Sequence, residues 1–372
     1  MKSGALRCDE LQALRVHVES ARAREGVKRA EHIEGSKRAE PIVAILVPFR
    51  QQKEQDREGQ LCRFLDHMSK FLRGPLPASA NRPSFLVVVV QQTQDGRKFN
   101  RGQLLNAGFY EAERLASPMS LSAIVLHDVD LLPSAGLLAH YCDLPTAGSP
   151  VHLALLADKY AHLGIAYSAR FLGGVTSLSP ADFVACNGFP NDYWGWGVED
   201  DQLYVRAEHV GALRNGIRRP PAGSGSYEDL DTLSVYGLYM ERREGHLWND
   251  KLDGTRGGKY QLDAAWSGRN GLCGSPHTVL AHNEEPLTPH IDGAVHSHAD
   301  EAVMCAEAHV WLLQLLVRLD DCWSPAAKRQ TLEQRMPPSE KEATQLAAWA
   351  GRVQPRWRHA KSPRANTLSG GV

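Results

Sequence analysis

The chain has 372 residues, 42% of them hydrophobic and 23% charged, which is the composition of an ordinary globular protein with a sizeable core. Its 42 Lys and Arg against 43 Asp and Glu give a formal net charge of -1, so no basic field exists to attract nucleic acid, and that partner class is disfavoured. Seven cysteines (Cys8, Cys62, Cys142, Cys186, Cys273, Cys305, Cys322) form no CxxC pair, which removes zinc-ribbon and thioredoxin-like motifs; one or two disulfides stay open.

Residues 1–40 are rich in Arg, Glu and Ala and read as a charged, partly helical leader without the apolar centre of a signal peptide. No run approaches the ~18–20 apolar residues that cross a bilayer, so no transmembrane segment is expected. The apolar run Pro41 to Phe49 predicts a first buried strand, and Leu61, Phe64, Leu65 and Met68 recur at helical spacing over 56–73. A second strand is expected at Ser84 to Val90, a helix around Gly102 to Ala116, and a third strand at Leu121 to Leu126. This alternation is the mark of a parallel sheet with right-handed crossovers. In such sheets ligands gather beyond the carboxyl ends of the strands. Arg50, residues 91–101 and the run His127 to Asp130 are therefore the first candidates.

Beyond residue 140 the sequence loosens into Gly- and Trp-rich loops, and Arg218 to Asp231 reads as a turn-forming, mobile stretch. Val303, Ala306, Val310, Leu313 and Val317 fall on one stripe and predict an amphipathic helix over 299–317. A polar, Pro-punctuated tail follows, with one short helix expected at Ser339 to Val353. His296 and His298 are taken as a surface turn, because no third metal ligand accompanies them.

Three constellations carry chemistry. His127-Asp128-Val129-Asp130 places two carboxylates at the end of a buried strand, where one suits a divalent cation and the other a sugar or ribose hydroxyl. Alone, such a pair reads first as a solvated acidic turn. Trp194-Gly195-Trp196-Gly197 followed by Glu199, Asp200 and Asp201 makes a poor structural element, since glycine breaks regular structure and adjacent acids repel. A solvated helix start is the plain alternative. Indole planes suit the apolar faces of pyranose rings and carboxylates suit their hydroxyls, so a sugar site is favoured. Phe171-Leu172-Gly173-Gly174 fits either a bend at a strand entry or a close backbone approach to a ligand.

Together with Pro48-Phe49-Arg50 and Phe99-Asn100-Arg101, these motifs occur in an order that resembles the β-1,4-galactosyltransferases, inverting enzymes of the GT-A fold. The spelling of His127 to Pro133 and of Cys186-Asn187-Gly188 is most similar to the xylosylprotein branch. The resemblance implies an α/β, Rossmann-like catalytic domain over 41–300, with a mostly parallel sheet, flanking helices and a Gly/Trp-rich acceptor-side loop region. The predicted C-terminal helix would occupy 301–322 and the polar tail 323–372.

It further implies a UDP-galactose donor, Mn²⁺ as cofactor, and a glycoconjugate or oligosaccharide acceptor ending in xylose, glucose or N-acetylglucosamine. Pro48, Phe49, Arg50, Phe99 and Arg101 would line the uracil and ribose, with Asp128, Val129, Gly174 and Trp196 beside the donor. Asp130 would bind the metal with His246, partnered by Glu244 or Met240. Asp200 would be the general base, with Glu199, Asp201 and Trp196 around the acceptor. Phe171 would exclude N-acetylgalactosamine from the donor pocket. The family suggests the Golgi lumen; a soluble location or a shortened start are the alternatives for a chain without a visible anchor. Two other functions compete: an N-acetylgalactosaminyltransferase of the same fold, and a catalytically silent carbohydrate binder.

Overall fold

The computed structural model describes residues 41–51, 56–78, 80–94, 99–117, 119–154, 170–195, 199–231, 270–272, 277–288 and 310–319. The leader, the tail with its expected helix, and the His296–His298 turn lie outside the described residues.

The chain opens as the apolar runs demand. Strand β1 (Ile42–Phe49) leads to helix α1 (Arg57–Phe71), then β2 (Ser84–Gln92), α2 (Arg101–Ala116) and β3 (Ala123–His127). Both neighbours of β1, namely β2 and β3, run parallel to it. Alternate residues feed two cores. Ala44, Leu46, Val88, Val90 and Leu126 face Leu104, Leu105 and Phe109 of α2. Val43, Ile45, Val47, Val87 and Val125 face Phe64, Met68 and Phe71 of α1. Both sheet faces are thus covered, which is why these strands are apolar throughout rather than alternating. At Gly108 the α2 backbone comes so near the sheet that an added Cβ would meet Val90 Cγ2 at 2.7 Å.

After β3 the chain turns through residues 128–130 into the short β4 (Leu131–Pro133), then a short helix α3 (Leu138–Cys142) and β5 (Val151–His152). Strand β6 (Val175–Leu178), helix α4 (Pro180–Ala185), helix α5 (Glu199–His209), β7 (Tyr227–Asp229), β8 (His277–Pro286) and β9 (Val310–Leu319) complete the described elements. The seven-stranded sheet has the order β5-β6-β3-β1-β2-β9-β8, and β4 pairs separately with β7. The central strands are parallel, while β6 and β8 run antiparallel to their neighbours.

Two expectations fail here. The amphipathic helix predicted over 299–317, and over 301–322 as a domain element, is a strand where it is described. Val310–Leu319 lies parallel to β2 and antiparallel to β8. A run that is apolar except for Gln314 and Arg318 satisfies helical spacing and a largely buried strand equally, and the open edge of β2 decides for the strand. Arg218 to Asp231 is not a free turn either. Arg218 exchanges backbone hydrogen bonds with Pro150 and His152, and Tyr227–Asp229 pairs with Leu131–Pro133. Cys62, Cys142 and Cys186 are free thiols.

Candidate active site

The site forms where β1, β2 and β3 end. Asn100 caps α2 by accepting a 3.0 Å bond from the Gln103 N–H, and its amide donates to the Asn191 carbonyl at 2.6 Å. This fixes the first helical residue, Arg101, over the carboxyl end of β3. Its Nε donates to Asp128 Oδ1 at 2.8 Å and its Nη1 to Asp200 Oδ1 at 2.7 Å, while Glu199 Oε1 stands 3.9 Å away. One guanidinium therefore joins the first acid of the β3 turn to the acidic start of α5. Burial works against the charge of Arg101, but Asp128, Asp200 and Glu199 more than reverse that and hold its pKa above the usual value.

Asp200 responds in the opposite sense. Burial raises its pKa most; Arg101 pulls it down, and Glu199, Asp128 and Asp201 push it up again, to about 8. Glu199 is buried, and its Oε2 has no hydrogen-bond partner among the described residues. Asp201 stands beside them in the first turn of α5, where three carboxylates meet the positive end of the helix.

The turn bearing Asp128 and Asp130 is built from beneath. His127 is fully buried and its pKa falls to about 4, chiefly because burial disfavours the imidazolium. Its Nδ1 donates to the Asp128 carbonyl at 2.8 Å, so its Nε2 accepts from the Tyr141 hydroxyl at 2.8 Å. Tyr141 in turn meets Tyr227 of β7 at 3.1 Å. The Asp130 carbonyl accepts from the Leu230 N–H at 2.7 Å, while Arg57, the first residue of α1, reaches Asp130 Oδ2 at 3.2 Å.

Facing these acids is the turn into β6. Gly174 has φ of 75°, and its carbonyl accepts the Asp128 N–H at 3.0 Å. A Cβ at Gly173 would sit 2.3 Å from Phe171 Cζ and 2.5 Å from Asp200 Oδ2. Only glycine lets the Phe171 ring and the Asp200 carboxylate share this corner.

Arg50 lies over the Phe99 ring at 5.7 Å, just past Pro48 and Phe49 at the end of β1. The Phe99 carbonyl accepts the Gly195 N–H at 2.7 Å, which ties the indole loop to the start of α2. Val129 is buried in the core on the α1 side. Trp196, Met240, Glu244 and His246 lie outside the described residues. Arg101, expected beside uracil and ribose, bonds Asp128 and Asp200. Motif reading did not single out Arg57, His152 or the amide of Asn191. A buried amide or imidazole carries no spelling that distinguishes it from a surface one.

Residues 10–143 match the family profile described as the N-terminal region of glycosyl transferase group 7, and residues 157–231 match that described as the N-terminal domain of galactosyltransferase. Mouse β-1,4-galactosyltransferase 5 is 34% identical over 233 residues, 60% of this chain and 53% of that one. The chain belongs to the β-1,4-galactosyltransferase family. It spans about half the length of the curated relatives it matches. The catalytic domain of Drosophila β-1,4-galactosyltransferase 7, crystallised with xylobiose, is 26% identical, with a TM-score of 0.52 over 76% of this chain and 95% of that one. A variant of the same fly enzyme with manganese, UDP-Gal and xylobiose aligns over the same shares, at 26% identity and a TM-score of 0.49. The sheet and its flanking helices are those of a GT-A glycosyltransferase.

Proposed function

We propose that this chain transfers galactose from UDP-galactose to a hydroxyl of an acceptor sugar, turning the α-linked donor into a β-1,4-linked product. The observation that carries the proposal is the gathering of Asp128, Glu199 and Asp200 by Arg101, next to Phe171 and Gly173 and beyond the ends of the parallel strands.

Asp200 is the group suited to take the acceptor proton. Arg101 holds its Oδ1, and its Oδ2 packs so closely on Gly173, beside the Phe171 ring, that an added Cβ there would come within 2.5 Å of it. A carboxyl raised toward the working pH is matched to general-base work. The unbonded, buried Oε2 of Glu199 suits a sugar hydroxyl, because a buried acceptor without a donor is costly. Asp201 and Trp196 complete the acceptor side. Pro48, Phe49, Arg50, Phe99 and Arg101 are assigned to the uracil and ribose, with Val129 beside the donor. Phe171 is the gate that favours galactose over N-acetylgalactosamine.

Asp130 presents a buried carboxylate already facing a cation, Arg57, so its oxygen donors fit a hard divalent ion. Asp130, His246 and Glu244 (or Met240) would hold Mn²⁺. When bound, the ion supplies Lewis-acid stabilisation of the leaving diphosphate. Among the described residues no helix is long and apolar enough to cross a membrane. The Golgi lumen, the compartment of the family, is the proposed location.

The test is UDP release from UDP-galactose in Mn²⁺ against xylosides, glucosides and N-acetylglucosaminides. Turnover with at least one of the three is expected. Turnover only with UDP-N-acetylgalactosamine would replace the donor assignment.

A further inference from the structure

The turn from Phe171 to Gly174 carries three duties at once. It presents the Phe171 ring, it forms the wall beside Asp200, and it accepts the Asp128 N–H. A turn with so many neighbours must be fixed through its own carbonyls. The Gly174 carbonyl is held by Asp128, and the Leu172 carbonyl accepts from Thr176 Oγ1 at 2.8 Å. The Gly173 carbonyl is held by an imidazole from another strand, His152 of β5, at 2.8 Å.

His152 is fully buried, and burial lowers its pKa to about 3, so it is neutral. A carbonyl only accepts, so Nε2 carries the proton and Nδ1 is left as an acceptor. That Nδ1 is buried with no hydrogen-bond partner among the described residues. A histidine chosen only to hold a carbonyl is a poor choice, since its second nitrogen is stranded away from water. What the imidazole adds is its ring. It meets Phe171 in an edge arrangement, with centroids 5.5 Å apart and planes at 88°, a favoured aromatic geometry. The backbone of β5 is pinned in turn. His152 pairs with Thr176, its N–H donates to the Arg218 carbonyl at 2.9 Å, and the Leu153 N–H donates to the Val175 carbonyl at 2.9 Å.

We infer that His152 is a positioning residue for donor choice: its ring braces Phe171 while its Nε2–H holds Gly173 against Asp200. The inference rests on Phe171 acting as the donor gate. The two halves of the role separate chemically. Glutamine at 152 retains a donor near the place of Nε2 but loses the ring edge. Phenylalanine retains a ring but loses the donor.

The experiment measures the affinities of the full chain for UDP-galactose and UDP-N-acetylgalactosamine in Mn²⁺ by calorimetry, and kcat for UDP release. The proteins are wild type, Phe171→Leu, His152→Gln, His152→Phe and the double variant His152→Gln/Phe171→Leu. His152→Gln should shift relative affinity toward UDP-N-acetylgalactosamine by about tenfold, the low end of what a small change in pocket size produces. His152→Phe should keep the wild-type preference but lower kcat, because the wall beside Asp200 has lost its anchor. The double variant should prefer the larger donor no more than Phe171→Leu does, since the brace acts through the ring it braces.

A wild-type preference in His152→Gln, alongside a shifted Phe171→Leu, would overturn the inference and leave the gate standing. Additive shifts in the double variant would also overturn it. Failure of both single His152 variants to fold would make the residue structural and contradict the role assigned. An unshifted Phe171→Leu would instead remove the gate itself.

Discussion

Asp200 and Arg101 are the pair on which the chemistry at residue scale turns. Asp200→Asn keeps the size and much of the hydrogen bonding of the carboxylate but accepts no proton, so kcat should fall by ~10²–10⁴. UDP affinity, governed by the metal and the uracil side, should change little. Asp201→Asn should cost less. Steady-state kinetics of both variants at one Mn²⁺ concentration checks this, and a dead Asp201→Asn beside an active Asp200→Asn would shift the register by one. The pH dependence follows from the same carboxyl. Its pKa is raised to about 8, first by burial and then by Glu199, Asp128 and Asp201 against the pull of Arg101. The base works deprotonated, so kcat/KM for the acceptor should climb with pH and level off above about 8. Arg101→Ala removes the opposing charge and should move that rise to higher pH; a profile moved lower would contradict the electrostatic account. At the metal, Asp130→Asn or His246→Ala should abolish the Mn²⁺ response and weaken UDP binding, as titration calorimetry would read. The motif acids were legible because carboxylates beside tryptophans and glycines have few structural uses. The role of Arg101 was not, because sequence adjacency to Phe99 says nothing of the acids that folding brings from residues 128 and 200.

The elements that hold these residues depend on buried polar contacts between α2, α5 and the segments around them. Asn106 donates through its amide to the Phe189 carbonyl at 2.8 Å and to Asn191 Oδ1 at 2.9 Å, and it accepts the Phe189 N–H at 2.9 Å. Asn191 continues the chain to Asn270 and Gly271, and Arg206 of α5 donates to the carbonyls of Asn187, Gly188 and Asn270. Asn106→Ala strands several of these groups and should destabilise the fold by at least ~1–3 kcal/mol in urea unfolding. A cost within the few tenths typical of surface changes would show that the network is dispensable. The strands β1, β2 and β3 could be read directly, because burial on both faces leaves an apolar run bounded by polar turns. Val310–Leu319 could not. Its run is broken by Gln314 and Arg318, and the strand it needed as a neighbour, β2, lies more than two hundred residues earlier in the chain. Non-local pairing of this kind leaves no periodicity of its own. Tyr227–Asp229 escaped for a similar reason, being held by Leu131–Pro133 across the β3 turn.

At the scale of the whole molecule, the parallel strands at the centre of the sheet place their carboxyl ends on one side, and the described candidate residues collect there from segments spread between residues 48 and 201. Family membership explains why so many separate motifs point to one chemistry, and the shared order of motifs made it visible before the fold was known. The central claim is that this constellation turns over a nucleotide sugar rather than only holding a saccharide. Equilibrium binding alone does not separate the two, because aromatic rings and carboxylates serve a binder as well as an enzyme. The direct measurement is UDP release from UDP-galactose by wild type and Asp200→Asn, with Mn²⁺ and an acceptor glycoside, and with the product linkage read by NMR. Wild type should give a β-linked galactosyl product, dependent on Mn²⁺, and Asp200→Asn a rate lower by ~10²–10⁴ at similar donor affinity. Saturable sugar binding by wild type with no UDP released, or equal rates for the two proteins, would contradict the claim.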